Sequence, residues 1–291
     1  MIPAYPRCGR PSRYARGMAP TTSWNPETYL RYADDRQRPF FDLTARITAE
    51  NPRTVVDLGC GPGHLTRSLA RRWPSARVLG LDSSEAMLSA ARGPVGSDGE
   101  GDADTPAPEF ELQDAGSYEP TPETDVLITN AMLQWVPDHL ALVRRWLERL
   151  PGGAWFAAQV PGNFAAYSHR ILREIATGDR WAQPLRGVLQ HDVVHGPGEY
   201  LRALHDAGFA ADAWETTYQH VLSGPDPVLE WVRGTALRPV LNALGEADGA
   251  AFESEYASRL REAYPATTGP DGAPVTLFPF RRVFCVGRKV G

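Results

Sequence analysis

Residues 54–63 read Thr-Val-Val-Asp-Leu-Gly-Cys-Gly-Pro-Gly, an apolar run that ends in glycines at alternate positions. The apolar part predicts a buried strand from Thr54 to Leu58, and the pattern beyond the glycines predicts a helix from His64 to Trp73. Glycines between a strand and a helix allow a tight turn and the close approach of a ligand, while the first helical amides point into the same space. The segment therefore predicts a loop that binds a nucleoside cofactor.

A second predicted strand, Arg77 to Leu81, delivers Asp82 to the same edge of the sheet, 25 positions after Asp57 (82 minus 57). An acid at this place accepts hydrogen bonds from two ribose hydroxyls. The glycine spacing is G-x-G-x-G, whereas a dinucleotide site uses G-x-G-x-x-G. Asp57 at the mouth of the loop would repel a pyrophosphate but attract an ammonium group, such as the amine of a methionyl tail. The predicted cofactor is therefore S-adenosylmethionine (SAM).

Length and composition restrict the class of protein. The 291 residues suffice for one large α/β domain with an elaboration, and the formal net charge of -5 is that of an ordinary soluble protein. No apolar run approaches the roughly 20 residues that cross a bilayer. The three cysteines form no C-x-x-C pattern, so we expect no disulfide framework and no zinc site, and we expect a cytoplasmic location.

Predicted strands and helices alternate from Thr54 to Val160, which is typical of a parallel sheet. Two later segments, Ala213 to Leu222 and Arg281 to Lys289, are expected to complete the sheet as an antiparallel pair. We therefore predict an α/β fold with a Rossmann-like, seven-stranded, mostly parallel sheet whose last strand is antiparallel. Helices interrupted near Pro39 would precede it, and two mainly helical insertions would cover its ligand edge as a lid.

The predicted domain boundaries follow this order of elements. They are a leader at 1–20, either disordered or upstream of the true start, a SAM-binding core at 21–162 and 196–224, helical lid insertions at 163–195 and 225–280, and a final core strand at 281–291. The segment from Gly93 to Pro108 is rich in glycine, proline and acids, and we predict a surface insertion there.

Polar residues follow the third and fourth predicted strands. Asp114 comes just after a short strand, Phe110 to Leu112, where it is placed to accept a hydrogen bond from an adenine amino group. The alternative is an aspartate that caps its own loop. A buried strand is predicted from Asp125 to Asn130, and we expect its end to face the transferable methyl group.

Several short motifs besides the glycine loop are spread along the chain. They are Trp24-Asn25-Pro26, Tyr29-Leu30, Arg36-Gln37-Arg38-Pro39, Gly80-Leu81-Asp82-Ser83-Ser84, Asn130 to His139, Gln159-Val160-Pro161, Thr216-Thr217-Tyr218, Trp231-Val232, Leu237-Arg238-Pro239 and Phe278-Pro279 with Arg281. On these residues, and over nearly all of Ser23 to Lys289, the chain resembles the trans-aconitate 2-methyltransferases, a family of class I SAM-dependent methyltransferases. The glycine loop alone would indicate only that broad superfamily.

The resemblance implies transfer of a methyl group from SAM to one carboxylate of trans-aconitate, a small tricarboxylate. The products would be a monomethyl ester and S-adenosylhomocysteine (SAH). The expected cofactor-binding residues are Trp24, Asp57, Gly59, Gly61, Gly63, Asp82, Ser83, Asp114, Ala115, Asn130 and Gln134. The expected substrate-binding residues are Tyr29, Arg38, Trp135, Tyr218, Trp231, Arg238, Tyr264 and Arg281.

No catalytic side chain and no metal are expected in such a reaction. A carboxylate with a pKa near 4 is already ionised at neutral pH, so it needs no general base. Catalysis would bring its oxygen to about 3 to 3.5 Å from the methyl group and remove water from it. Bidentate guanidinium groups suit the non-reacting carboxylates, which favours Arg38, Arg238 and Arg281.

Alternatives remain for these residues and for the function. Each arginine could instead form a structural ion pair, and the tyrosines and Trp231 could instead belong to the core. The chain could act on another small acid or a secondary metabolite, or it could be a non-catalytic SAM-binding sensor. The glycine spacing and Asp57 disfavour a nicotinamide oxidoreductase, and the acidic composition disfavours a nucleic-acid enzyme. We expect a polycarboxylate as the partner, no nucleic acid, no membrane, and a monomer or weak dimer.

Overall fold

A computed structural model describes residues 33–93, 106–189 and 194–291. The strands are β1 (Thr54–Leu58), β2 (Arg77–Asp82), β3 (Glu109–Leu112), β4 (Thr124–Asn130), β5 (Trp155–Pro161), β6 (Phe209–Ser223), β7 (Ala266–Thr268) and β8 (Pro274–Lys289). The α-helices are α1 (Ala33–Thr44), α2 (His64–Arg72), α3 (Glu85–Arg92), α4 (His139–Arg149), α5 (Tyr167–Ala176), α6 (Pro197–Asp206), α7 (Pro227–Arg233) and α8 (Arg238–Ala263). The predicted leader and residues 94–105 of the predicted surface insertion lie outside these ranges.

The sheet has the strand order β3-β2-β1-β4-β5-β8-β6, and β7 adds to β8. Strands β1 to β5 are parallel, and β8 runs antiparallel to both of its long neighbours. The predicted Rossmann-like fold is therefore confirmed, with one short extra strand. The strand order reverses between β1 and β4, and ligands of open α/β sheets bind outside the carboxyl ends of the strands at such a point.

The last two long strands extend further than the sequence predicted. Strand β6 covers 209–223 instead of 213–222, and β8 begins at Pro274 instead of Arg281. Alternate side chains such as Phe278 and Phe280 are buried along the extension of β8, which gives the period-2 pattern of a half-buried ribbon. This extension carries β8 past the end of β5 and into a segment predicted as lid.

Helix α1 also differs from its prediction, because it continues through Pro39 without interruption. Phe40 and Leu43, which follow the proline, are 1% and 0% exposed and pack into a core cluster on one face of the sheet. Their burial offsets the helical hydrogen bond that the proline cannot donate. The helix thereby lies against β5 and β8, next to the carboxyl ends of the strands.

The apolar core forms three clusters. One, around Trp146 and Phe156, lies between the sheet and helices α4 and α6, and a second, around Phe40 and Phe284, lies under α1. The third, around Trp231 and Phe252, joins α5, α7 and α8 to the β6/β8 ribbon. The predicted lid segments therefore have an apolar core of their own. In the described ranges no helix is both long enough and apolar enough to cross a bilayer.

Candidate active site

The three glycines of the loop after β1 all have positive φ angles, but they face different surroundings. A Cβ on Gly59 would lie 2.5 Å from Met132 Cγ, and a Cβ on Gly63 would lie 2.6 Å from Phe110 Cζ. A Cβ on Gly61 would meet no described atom within 4 Å. Gly59 and Gly63 are therefore required by the packing of neighbouring segments, whereas Gly61 borders open space where a ligand can approach the backbone.

Asp82 holds this loop in place from the end of β2. Its Oδ2 accepts a hydrogen bond from the Gly61 N–H at 2.9 Å, and its Oδ1 accepts one from the Ser84 N–H at 2.9 Å. Each carboxylate oxygen has a further lone pair, and the residue is partly exposed. Asp82 can therefore position the loop and still accept hydroxyl hydrogen bonds. Ser83, next to it, is exposed.

Asp57 lies at the end of β1 and is only 2% exposed. Burial raises the pKa of its carboxyl to about 6, the nearby Asp82 charge adds to this shift, and a hydrogen bond from Thr66 opposes it. That hydrogen bond joins Thr66 Oγ1 to Asp57 Oδ2 at 2.7 Å. At neutral pH the carboxylate is therefore ionised, although it is removed from water, and a cation that approached it would be bound favourably.

Unpaired polar atoms are concentrated at the carboxyl ends of β4 and β5. Within the described ranges Thr129 Oγ1, Asn130 Oδ1, Gln134 Oε1 and both amide atoms of Gln159 are buried without a hydrogen-bond partner. Asn130 and Gln159 are register partners on adjacent strands, so their orphaned groups lie next to each other, whereas Thr129, one position away on β4, faces the opposite side of the sheet. Buried polar atoms in native proteins nearly always have a partner. This cluster therefore indicates a site that a polar molecule completes.

Asp114 and Ala115 lie in the loop after β3. The Gln113 N–H donates to the Asp82 carbonyl oxygen at 2.9 Å, which holds this loop beside the end of β2. Asp114 Oδ1 accepts from the Gly116 N–H at 2.8 Å, so the residue does cap its own turn, as the alternative interpretation had it. The side chain is nevertheless exposed beside Asp82, at the place expected for an adenine-binding residue.

Arg38 and Tyr218 come together although they are far apart in sequence. Tyr218 is 4% exposed, and its hydroxyl donates to Asp42 Oδ2 at 2.7 Å. The Arg38 guanidinium lies 5.2 Å from the Tyr218 ring centroid, and its Nε is 3.9 Å from the same Asp42 oxygen. Burial, and then the Asp42 carboxylate, raise the pKa of Tyr218, so its phenol remains protonated and can donate. The two residues form one wall above the sheet edge.

Three other substrate candidates make contacts within the protein. Arg281 Nε donates to Glu215 Oε2 at 2.9 Å, and its Nη1 donates to the Gly162 carbonyl oxygen at 3.1 Å. The Tyr264 hydroxyl accepts from the Ser168 N–H at 3.0 Å, near the start of α5. Trp231 is 2% exposed in the third apolar cluster, the lid cluster, which joins α5, α7 and α8 to the β6/β8 ribbon. These contacts correspond to the ion-pair and core alternatives weighed for the three residues.

The remaining candidates are less enclosed or lie elsewhere. Arg238 is half-buried at the start of α8, and burial lowers its pKa, while Trp135 is 47% exposed. Trp24 and Tyr29 lie outside the described residues. Among the residues that are described, no three His, Cys, Asp or Glu side chains converge in a way that could hold a metal ion.

Two buried polar residues at this edge were not among the predicted site residues. Gln159 is 1% exposed on β5, and Arg282 is 6% exposed on β8 with its guanidinium 4.4 Å from the Phe280 ring centroid. The signal that identifies Arg282 is the inward row Phe278, Phe280 and Phe284, because residues two apart on a strand share a face. Arg281, one position away, must face the opposite side.

Comparisons with known proteins match both the fold and the chain as a whole. A methyltransferase domain family matches residues 32–213. The trans-aconitate 2-methyltransferase of Streptomyces avermitilis is 50% identical over 277 residues, which cover 93% of this chain and 98% of that protein. The trans-aconitate 2-methyltransferase of Rhodococcus jostii is 50% identical over 267 residues, which cover 91% of this chain and 99% of that protein. The crystal structure of the YcgJ protein from Bacillus subtilis shares the fold with a TM-score of 0.51 at 14% identity, covering 88% of this chain and 99% of that one.

Proposed function

Because the chain belongs to the trans-aconitate 2-methyltransferase family, we propose that it transfers the methyl group of SAM to one carboxylate of trans-aconitate. The products are a monomethyl ester and SAH. The observation that carries this proposal is the group of buried, unpaired polar atoms at the ends of β4 and β5, next to a glycine loop whose Gly61 borders open space. A polar acceptor and a nucleoside cofactor would occupy these neighbouring places.

The residues around the loop suit SAM, which when bound supplies an electrophilic methyl group. Gly61 allows close approach of its backbone, and Asp82 is placed to accept the ribose hydroxyls. The ionised Asp57 attracts the ammonium group of the methionyl tail, directly or through water. Asp114 and Ala115, in the loop beside the end of β2, would contact the adenine ring.

The chain's own residues bind, orient and enclose the acceptor. The acceptor carboxylate is already ionised at neutral pH, so no side chain has to remove a proton. Arg38 supplies a cation beside Tyr218, whose hydroxyl donates to Asp42, and helices α5, α7 and α8 would exclude water. Removing water from the reacting oxygen raises its nucleophilicity, whereas strong hydrogen bonds to that oxygen would lower it. The cations therefore serve the non-reacting carboxylates.

Incubation with methyl-labelled SAM and a panel of di- and tricarboxylates tests the proposal. Mass spectrometry is expected to detect a labelled monomethyl ester of trans-aconitate, formed in step with SAH. An ester formed only from a different acid would favour the first alternative. Tight SAH binding without any ester would favour the non-catalytic sensor, and either result would contradict our proposal.

The oligomeric state, the binding partners and the cellular location are also proposals. We propose a cytoplasmic monomer or weak dimer that binds a polycarboxylate and neither nucleic acid nor membrane. Its net charge of -5 gives no attraction to phosphate backbones, and Cys60 and Cys285 are buried as free thiols, which suits a reducing compartment. Light scattering on a sizing column tests the oligomeric state.

A further inference from the structure

A buried arginine lies where β8 passes the carboxyl end of β5. Arg282 is the register partner of Pro161, the last residue of β5, and it is only 6% exposed. Its planar guanidinium matches the geometry of a carboxylate. Strand β8 therefore carries a carboxylate-binding group to the sheet edge where the acceptor is expected.

The face on which Arg282 lies is fixed by its neighbours on the strand. Its guanidinium lies over the ring of Phe280, two residues before it, and Phe284, two residues after it, packs in the cluster under α1. Arg281 faces the other side and pairs with Glu215. Of the two adjacent arginines, Arg282 is the one that shares a face with the wall formed by Arg38 and Tyr218.

Gln159 lies diagonally opposite Arg282 on the adjacent strand. It is the register partner of Phe284, and such diagonal positions are about 7 to 8 Å apart at Cα, within reach of two long side chains. Both amide atoms of Gln159 are buried and have no hydrogen-bond partner in the part of the chain that the structure describes. A buried amide in this state has an N–H donor to offer, and a carboxylate is its natural acceptor.

Tyr218 connects this pair of residues to the wall at α1. It is the register partner of Phe280, and burial is the main reason that its pKa is raised. The positive charges of Arg38 and Arg282 both oppose that shift, which means that both guanidinium groups act on the same phenol. Arg38, Arg282, Tyr218 and Gln159 therefore lie on one face of the sheet near the ends of β5 and β8, with the Asp42 carboxylate beside Tyr218.

We propose that Arg282 and Gln159 bind a non-reacting carboxylate of the acceptor and so select polycarboxylates. Arg282 donates two parallel N–H hydrogen bonds, and Gln159 donates one from Nε2. With one carboxylate held there, a second one is presented to the methyl group without being clamped. This role rests on the proposed function, since it assigns residues to the acceptor of that same reaction.

The test compares Arg282→Met, Arg282→Lys and Gln159→Leu with wild type. Calorimetry measures Kd for trans-aconitate in the presence of SAH and Kd for SAH alone, and steady-state kinetics give KM and kcat. Arg282→Met is expected to raise Kd and KM for trans-aconitate about 10- to 100-fold, the size expected for hydrogen bonds to a charged group. Arg282→Lys should be intermediate, because the ammonium keeps the charge but loses the two-pronged geometry. SAH affinity should stay at the wild-type value in every variant.

Arg288→Met is the matched control. It removes an arginine from the same strand, but at an exposed position where Nε donates to the Gly153 carbonyl oxygen at 3.2 Å, away from the ligand edge. Its Kd for trans-aconitate should equal that of wild type.

Several outcomes would overturn the role of Arg282. A wild-type Kd for trans-aconitate in Arg282→Met would do so, and so would a matching loss of SAH affinity, which would indicate a purely structural residue. If Arg282→Met does not fold, Arg282→Lys and Gln159→Leu decide, and an unchanged Kd in both would contradict the assignment. A wild-type enzyme that forms no ester would instead contradict the proposed function, before any variant is compared.

Discussion

Asp57 combines two properties that oppose each other in the protein without ligand. It is buried, which disfavours its charge, and it is the residue whose charge we propose attracts the ammonium group of the cofactor. The raised pKa, about 6, records this conflict. Bound cofactor would relieve it, because a neighbouring ammonium favours the ionised carboxylate.

SAH affinity should therefore depend on pH through Asp57. The ammonium of SAH keeps its charge between pH 5 and pH 8, whereas the Asp57 carboxyl gains a proton as the pH falls through about 6. Only the ionised form attracts the ammonium, so Kd should be nearly constant above pH 7 and rise by up to about tenfold per pH unit below 6. Calorimetric titrations across this range measure the effect.

Asp57→Asn is the control for that pH dependence. The amide keeps an oxygen that can accept from Thr66 but carries no charge, so SAH should bind weakly and with no step near pH 6. A carboxyl whose pKa is raised by folding loses its stabilising contribution as the pH rises through that pKa. The asparagine variant should consequently have a Tm no lower than wild type at pH 7.5. A step near pH 6 that persists in Asp57→Asn would assign the titration to another group.

The loop glycines permit a prediction that separates binding from stability. Both Gly61→Ala and Gly63→Ala place a side chain at positive φ, at about 1 to 2 kcal/mol. Gly63→Ala additionally forces a Cβ against Phe110, which adds about 1 to 3 kcal/mol. Gly63→Ala should therefore lower Tm more, and Gly61→Ala should weaken SAH binding more, because its Cβ enters the ligand space. Calorimetry and thermal unfolding of both variants measure the contrast, and the reverse order would refute it.

Arg281 and Arg282 show where sequence reasoning about this site reaches its limit. The positions of the glycine loop and of Asp82 at one edge of the sheet could be predicted because they depend on local order along the chain. The arginine could not be chosen so directly, because a shift of one residue along a strand moves a side chain to the opposite face. The motif that carries the resemblance ended at Arg281. The buried face of the strand, which carries Phe278 and Phe280, also carries Arg282.

At the scale of elements, α8 is interrupted at a single residue. Gly245 has φ 72° and ψ -172°, a conformation that is essentially confined to glycine. The helical segments on either side contribute Val240 and Phe252 to the lid cluster, so the kink at Gly245 lets both segments pack against it. The conformation of one glycine thereby shapes the packing of the helix that we propose covers the site.

Gly245→Ala should destabilise the protein, whereas Gly249→Ala in the same helix should stabilise it. The first adds strain of about 1 to 3 kcal/mol at a position where no described atom contacts a Cβ. The second replaces a helical glycine, and its Cβ would lie at an ordinary 3.5 Å from Leu241 Cδ2, so we expect a gain of about 0.5 to 1 kcal/mol. Thermal unfolding of the two variants gives the sign of each effect, and a fall in Tm for both would contradict the argument.

The elements themselves were predicted well where local pattern determines them. Strands β1, β2 and β4 and helix α2 lie within a residue or so of their predicted bounds, since apolar runs bounded by turn residues identify them. The length of β6 and β8 was underestimated because their ribbon is half-exposed and stabilised by the distant lid core. Tertiary packing of this kind leaves little trace in a local window of sequence.

At the scale of the whole molecule, we propose that one edge of the sheet serves two ligands. Asp57, Gly61 and Asp82 lie on the side of β1 and β2, while Gln159 and Arg282 lie on the side of β5 and β8. Asn130, at the end of β4, stands between the two groups and is the register partner of Gln159. We therefore expect bound cofactor to form part of the surface against which the acceptor packs.

This shared edge predicts coupling between the two ligands. SAH at 100 times its Kd should raise the unfolding free energy by about 2.7 kcal/mol, which corresponds to a Tm increase of about 5 to 10 °C for a chain of this size. Trans-aconitate alone should raise Tm little, because its carboxylates would meet an incomplete site, but it should add a clear further increase once SAH is bound. Thermal unfolding in a two-by-two design, with and without each ligand, measures this coupling.

Arg288→Met should show the same pattern as wild type, whereas Arg282→Met should lose only the increment from trans-aconitate. Equal stabilisation by trans-aconitate with and without SAH would mean that the acceptor site is complete by itself.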